Sequence, residues 1–132
     1  MIGAAHELSE RFRDLEARIA AEKGGFTLFA LFMREEAPHV WDLIVSAPWA
    51  TDRYDVVDYF VDQIKEHLGA QDLTNLARIV VADPEHPDIQ ALNRAVQIEH
   101  GGVEVRDSTF SGLPIKHGFI ITSKRSPAPA AA

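Results

Sequence analysis

The sequence predicts an α/β fold, with α+β as the alternative, built on a mixed five-stranded sheet with helices packed on it. Three observations support this class: apolar residues recur at helical spacing in three segments, five short segments are apolar or β-branched, and the two kinds of segment alternate. The predicted order along the chain is α-β-β-α-β-α-β-β. Since 132 residues correspond to one domain, we expect residues 1–122 to form a single globular unit.

The first predicted helix covers residues 5–23. Leu8, Phe12, Leu15 and Ile19 recur there every three or four residues and form one narrow apolar stripe. The stripe favours packing against the core of the same chain. The same spacing also suits a seam with a second copy of the chain, so a homodimer is left open.

Two further helices are predicted over residues 53–68 and 88–100. Thr51 or Asp52 is placed to cap the first of them, and Gly69 is placed to end it. The second is expected to end at the glycine pair that begins with Gly101. A further helical turn is expected near residues 72–76.

The five predicted strands are residues 26–33, 40–47, 78–82, 103–106 and 115–122. The first two are close enough for a hairpin, and the two strand–helix–strand units are expected to be parallel and right-handed. Residues 107–112 are predicted to be a turn-rich link. Residues 123–132 contain Pro127 and Pro129 among alanines, which predicts a disordered tail.

Composition and charge exclude several classes of protein. The chain has no cysteine, so disulfides, thiolate metal sites and a cysteine nucleophile are ruled out. Its net charge is −7, and the only basic excess lies in residues 101–132, which argues against a nucleic-acid partner. No apolar run approaches the length of a membrane span, and the first residues lack the pattern of a signal peptide. We therefore expect a cytoplasmic protein with no membrane partner.

A candidate ligand site follows from the rule that open α/β sheets bind ligands beyond the C-terminal ends of parallel strands. The rule selects the polar and aromatic residues that follow the second, third and fourth strands. These candidates are Ser46, Trp49, Asp52, Arg53, Asp83, His86, Arg106 and Asp107. A competing interpretation is that Asp52 only caps a helix and Asp83 only forms an Asx turn. The sequence has no GxGxxG and no GxxxxGK[ST] motif, so nucleotide binding is not supported.

Asp42 interrupts an apolar run, and a buried carboxylate is costly unless it is paired or binds a metal. One interpretation makes Asp42, Asp83 and Glu104 the ligands of a divalent metal, with Arg106 as a charge clamp. The other places Asp42 in solvent at the rim of the sheet. We favour the second interpretation, because acids are rarely buried without a partner.

Four acids lie on one stripe of the second helix, namely Asp55, Asp58, Asp62 and Glu66. A solvated outer face is the favoured interpretation. A hard cation or a basic partner protein would also suit these oxygens. No histidine pair has HxH or HExxH spacing, so a zinc site is not indicated.

The first functional hypothesis is a non-catalytic domain that binds a ligand or a protein, because it needs no motif that the sequence lacks. No cofactor is expected under this hypothesis. The alternative is a metal-dependent phosphodiester or phosphate hydrolase, the only case in which a divalent metal is expected. A third hypothesis is a metal-free enzyme or small-anion sensor that uses Arg53 and His86. The sequence leaves the ligand, any catalysis and the strand order open.

Overall fold

Nine helices and strands follow one another in residues 2–125, the part of the chain that the computed structural model describes. The helices are α1 (Ile2–Lys23), α2 (Arg53–His67), α3 (Ala70–Thr74) and α4 (Pro87–Ala95). The strands are β1 (Leu28–Arg34), β2 (Trp41–Ser46), β3 (Leu76–Val81), β4 (Val103–Phe110) and β5 (Leu113–Ser123). The predicted α/β class and order of elements are confirmed, and α3 supplies the additional helical turn.

The five strands form one sheet in the order β3-β2-β1-β5-β4. β1 is antiparallel to both β2 and β5, and β2 is parallel to β3, so the predicted hairpin and the first parallel unit are confirmed. The prediction of a second parallel strand–helix–strand unit is wrong. β4 lies at the opposite edge from β3 and runs antiparallel to it, because β4 pairs with β5 in a hairpin that sets its direction.

The turn between β4 and β5 is much tighter than the predicted link of residues 107–112. Phe110 pairs directly with Leu113, so only Ser111 and Gly112 lie between the strands. These two residues have φ values of 53° and 79°. A type I′ hairpin turn requires positive φ at both central positions. β4 therefore extends four residues beyond its predicted end.

Helices α1 and α2 cover one face of the sheet, which we call the α1–α2 face. The predicted stripe of α1 is buried there, with Phe12 and Ile19 fully enclosed. Phe26 and Phe29 pack against Phe60 of α2 with ring centroids 6.1 and 6.3 Å apart. Fully burying such a side chain stabilises the fold by about 1.5–3 kcal/mol. The stripe of α1 is therefore used within this chain.

Helix α4 covers the other face, which we call the α4 face, and packs on it through Ile89. The predicted helix 88–100 ends at residue 95 instead. The chain then pairs with the end of β5. The N–H of Ile98 donates to the carbonyl of Ser123 at 3.0 Å, and the carbonyl of Ile98 accepts the N–H of Ser123 at 2.8 Å. These sheet-like hydrogen bonds replace the helical ones and end α4 early.

The first residues of the predicted tail belong to the sheet. Ser123 is the last residue of β5, and the N–H of Lys124 donates to the carbonyl of Thr27 at 3.0 Å. The rest of the predicted tail, residues 126–132, lies outside the described residues. Among the described helices, none combines the length and apolar character needed to cross a membrane.

Candidate ligand-binding site

A pocket of about 390 Å³ opens on the α4 face between β3, the start of α4 and the tip of the β4–β5 hairpin. We call it the α4 pocket. Its apolar walls include Phe32, Ile44, Val80, Ile89, Phe110 and Ile115. Apolar walls and a few convergent polar groups are typical of small-molecule sites, and the volume lies in their usual range of roughly 300–1,000 Å³.

Asp42 supplies the most deeply buried charge of the pocket, since only 3% of its surface is exposed. Arg34 Nε donates to Asp42 Oδ2 at 2.7 Å, and Arg78 Nε lies 3.1 Å from the same oxygen. The interpretation of Asp42 as a solvated rim residue is therefore wrong. Its burial is possible because two guanidinium groups compensate the carboxylate.

Arg78 lies beside Asp42 because the parallel register of β2 and β3 pairs these two residues. Arg34 also donates to exposed Glu36 through Nη1 at 2.7 Å, outside the pocket. Arg78 differs from Arg34, because its side chain is 46% exposed and donates no hydrogen bond to any residue within 2–125. Two guanidinium groups thus face one buried carboxylate, and the accessible positive charge belongs to Arg78.

The opposite rim of the pocket is a set of polar contacts between α4 and the hairpin. His86 caps α4, and its Nδ1 accepts the backbone N–H of Asp88 at 3.1 Å. The Ser111 hydroxyl donates to Asp88 Oδ2 at 2.7 Å. These contacts hold the hairpin tip against the first turn of α4 and close one side of the pocket.

The residues predicted to follow β2 do not meet in one crevice. Ser46 is fully buried, and its Oγ has no hydrogen-bond partner among the described residues. Trp49 Nε1 donates to the carbonyl of Gly24 at 2.9 Å. Asp52 caps α2 by accepting two backbone N–H groups at 3.1 and 3.2 Å, and Arg53 is exposed at the first position of that helix.

The residues predicted to follow β3 and β4 are also dispersed. Asp83 accepts the N–H of Glu85 at 2.8 Å in an Asx turn. Arg106 and Asp107 lie within β4, and Arg106 pairs with His117 of β5. Because β4 runs antiparallel to β3, these two residues do not follow the end of a parallel strand. Of the eight candidates, His86 is the one that lines the α4 pocket.

The three acids of the metal hypothesis are not brought together. Asp42 lies on the α4 face, whereas Glu104 contacts His117, whose ring packs on Phe119 in the core of the α1–α2 face. The sheet separates the two carboxylates, so they cannot share one ion. No group of three or more histidine, aspartate and glutamate side chains within residues 2–125 is arranged to hold a metal.

Glu104 instead belongs to an ion-pair cluster at the β4 edge. His117 Nε2 and Arg106 Nη2 contact Glu104 Oε2 at 2.6 and 2.7 Å. The hydrogen bond with His117 is the largest of the causes that lower the pKa of Glu104 below its ordinary value. His117 is itself enclosed by the rings of Trp41 and Phe119. This cluster ties the edge strand to the sheet.

A second buried acid, Glu16, connects α1 to the chain after α4. Glu16 is fully buried. One of its carboxylate oxygens contacts His100 Nδ1 at 2.5 Å, and the other accepts the hydroxyl of Thr122 at 2.8 Å. His100 adopts a φ of 54° at this position. The predicted helix 88–100 included His100, which in the structure lies beyond the end of α4 and contacts Glu16 instead.

A wider groove of about 830 Å³ lies between α1, α3 and the β1–β2 hairpin. Two of its charged groups are paired with each other, because Arg11 donates to both carboxylate oxygens of buried Asp72 at 2.7 and 2.8 Å. The four acids of the α2 stripe are all exposed, as expected for a solvated face. Of the two arginines that line these cavities, Arg11 is hydrogen-bonded to Asp72, whereas Arg78 has one ion-pair contact within the described residues, with Asp42 Oδ2 at 3.1 Å.

Comparison with known proteins adds no assignment: no protein-family model, curated protein or solved structure matches this chain.

The residues that sequence reasoning missed are Arg78, Asp88 and Ser111. A usable signal existed for Ser111, because a polar residue followed by glycine between two strands is typical of a tight hairpin turn. No such signal existed for Arg78, which depends on the register of two strands far apart in sequence.

Proposed function

We propose that this chain is a ligand-binding domain whose α4 pocket takes a small, largely apolar molecule. The observation that carries the proposal is the combination of apolar walls with one accessible guanidinium that has no hydrogen-bond acceptor within residues 2–125. Sites of this composition bury most of a small ligand and use a few polar groups to orient it.

The polar groups of the pocket support binding more than catalysis. The Ser111 hydroxyl donates to Asp88, and Nδ1 of His86 accepts a backbone N–H. A nucleophile needs a base within hydrogen-bonding reach. Here the hydroxyl and the imidazole nitrogen instead hold the rim of the pocket together. The buried carboxylate of Asp42 is likewise used by Arg34 and Arg78.

The arrangement of the helices explains why a pocket exists on this face. On the described chain, α1 and α2 cover the α1–α2 face, whereas α4, with nine residues, is the principal cover of the other. Val80 in β3 and Ala82, just after this strand, remain partly exposed beside the start of α4. Partly exposed apolar side chains in a concave site favour an apolar ligand.

The test is ligand-observed NMR with a panel of small neutral molecules that includes octanol, phenol and indole. Ala82→Phe places a ring in the pocket and is expected to abolish binding. Ala77→Phe is the matched control, because Ala77 is exposed on β3, the strand that ends just before Ala82, and does not line the pocket. Equal binding to both variants, or no binding to the wild type, would contradict the proposal.

A further inference from the structure

We infer that the ligand of the α4 pocket is a monocarboxylic acid with an apolar body, whose carboxylate is bound by Arg78. The inference rests on the proposed function and names the chemical class of its ligand. It starts from the one charged side chain of the pocket that is both accessible and without a hydrogen-bond acceptor among the described residues.

The geometry of Arg78 suits a carboxylate. Its Nε lies 3.1 Å from Asp42 Oδ2, and the register of β2 and β3 places the two residues side by side. The terminal Nη1 and Nη2 groups remain available, and such a fork binds a planar carboxylate through two parallel hydrogen bonds.

The charges around the pocket favour a ligand whose acidic group lies at the Arg78 end. Arg34 is shared between Asp42 and the exposed Glu36, whereas Arg78 contacts Asp42 alone among the described residues, so Arg78 is the positive charge that faces the pocket. Asp88 lies on the opposite rim and accepts from Ser111. A second acidic group at the far end of the ligand would face this carboxylate and be repelled.

The rest of the ligand is specified by the walls. Phe32 and Phe110 pack with ring centroids 5.2 Å apart, and Ile44 and Ile89 lie buried beside them. An apolar body buried against these side chains contributes about 25 cal/mol per Å² of apolar surface. The inferred ligand is therefore acidic at one end and apolar along its length.

The experiment is calorimetric titration of the full chain with octanoate, octanol and suberate. We expect octanoate to bind at least about tenfold more tightly than octanol, as a charge-assisted hydrogen bond to a partly exposed arginine would give. Suberate, which has an acid at both ends, should bind more weakly than octanoate. In Arg78→Gln the preference for octanoate over octanol should disappear, while Asp42 stays paired with Arg34 and the fold is kept.

Two variants serve as controls. Arg94→Gln removes the same charge from an exposed position of α4 that does not line the pocket, and the preference should remain. Arg78→Lys keeps the charge but loses the fork, and should retain part of the preference.

Equal affinities for octanoate and octanol in the wild type, or an octanoate preference that survives Arg78→Gln, would overturn the inference. In either case Ala82-dependent binding of the neutral panel would leave the pocket itself as the binding site. If neither octanoate nor any neutral probe binds, both the inference and the proposed function are wrong.

Discussion

Replacing Gly118 by alanine tests how closely the sheet packs beneath the α4 pocket. A Cβ at this position would lie 2.6 Å from Cδ1 of Phe32 and 2.9 Å from Cγ2 of Val105. Phe32 is buried and cannot simply swing into solvent, so the ring must shift toward the pocket that it lines. Overpacking of this kind costs about 1–3 kcal/mol. For a chain of this length that corresponds to a fall in Tm of roughly 4–11 °C.

Thermal and urea unfolding of Gly118→Ala measure the cost directly. The matched control is Gly102→Ala, where the nearest atom to a new Cβ is Ser9 Oγ at 4.0 Å and where we expect little loss of stability. Adding Phe32→Leu should relieve the clash, so the double variant should lose less stability than the sum of the two single variants. A Gly118→Ala protein as stable as Gly102→Ala would refute this description of the packing.

Three further predictions concern charge and capping. Asp42→Asn leaves two guanidinium groups without their buried counter-ion and should lower the free energy of unfolding by about 3 kcal/mol in urea titrations; a change within about 0.5 kcal/mol would contradict the pairing. Burial, followed by the effect of Glu22, raises the pKa of Tyr59 to about 12 from an ordinary value of 10.0. The unfolded chain therefore ionises first, stability falls as the pH rises between these values, and Tyr59→Phe should flatten that part of the Tm profile. Asp52→Ala removes the cap of α2 and should cost about 1 kcal/mol, whereas Asp52→Asn should cost little, as measured by urea unfolding.

The order and character of the elements were predictable because they depend on local patterns. The stripe from Leu8 to Ile19 has helical spacing, and the run in residues 26–33 is apolar except for Thr27, so both could be assigned from the sequence. The early end of α4 was not predictable in this way. It depends on the pairing of Ile98 with Ser123, which are far apart in sequence and meet only in the folded chain.

The same limit explains why the interpretation of Asp42 was wrong. Its two partners, Arg34 and Arg78, lie in different strands on either side of β2. The hairpin register brings Arg34 close, and the parallel register brings Arg78 opposite. The spacing of residues along the chain determines neither register. The sequence therefore contained no sign that two arginines would contact Asp42.

The rule that placed a site beyond the strand ends overlooks that an edge strand can also carry an exposed charged side chain. A half-exposed arginine within a central strand would be costly, because both faces of such a strand are covered. β3 is an edge strand, so Arg78 keeps access to solvent while its Nε is held by a buried acid. The accessible positive charge of the α4 pocket therefore lies within an edge strand and not in a loop after it. This position lets one residue both stabilise Asp42 and remain available to a ligand.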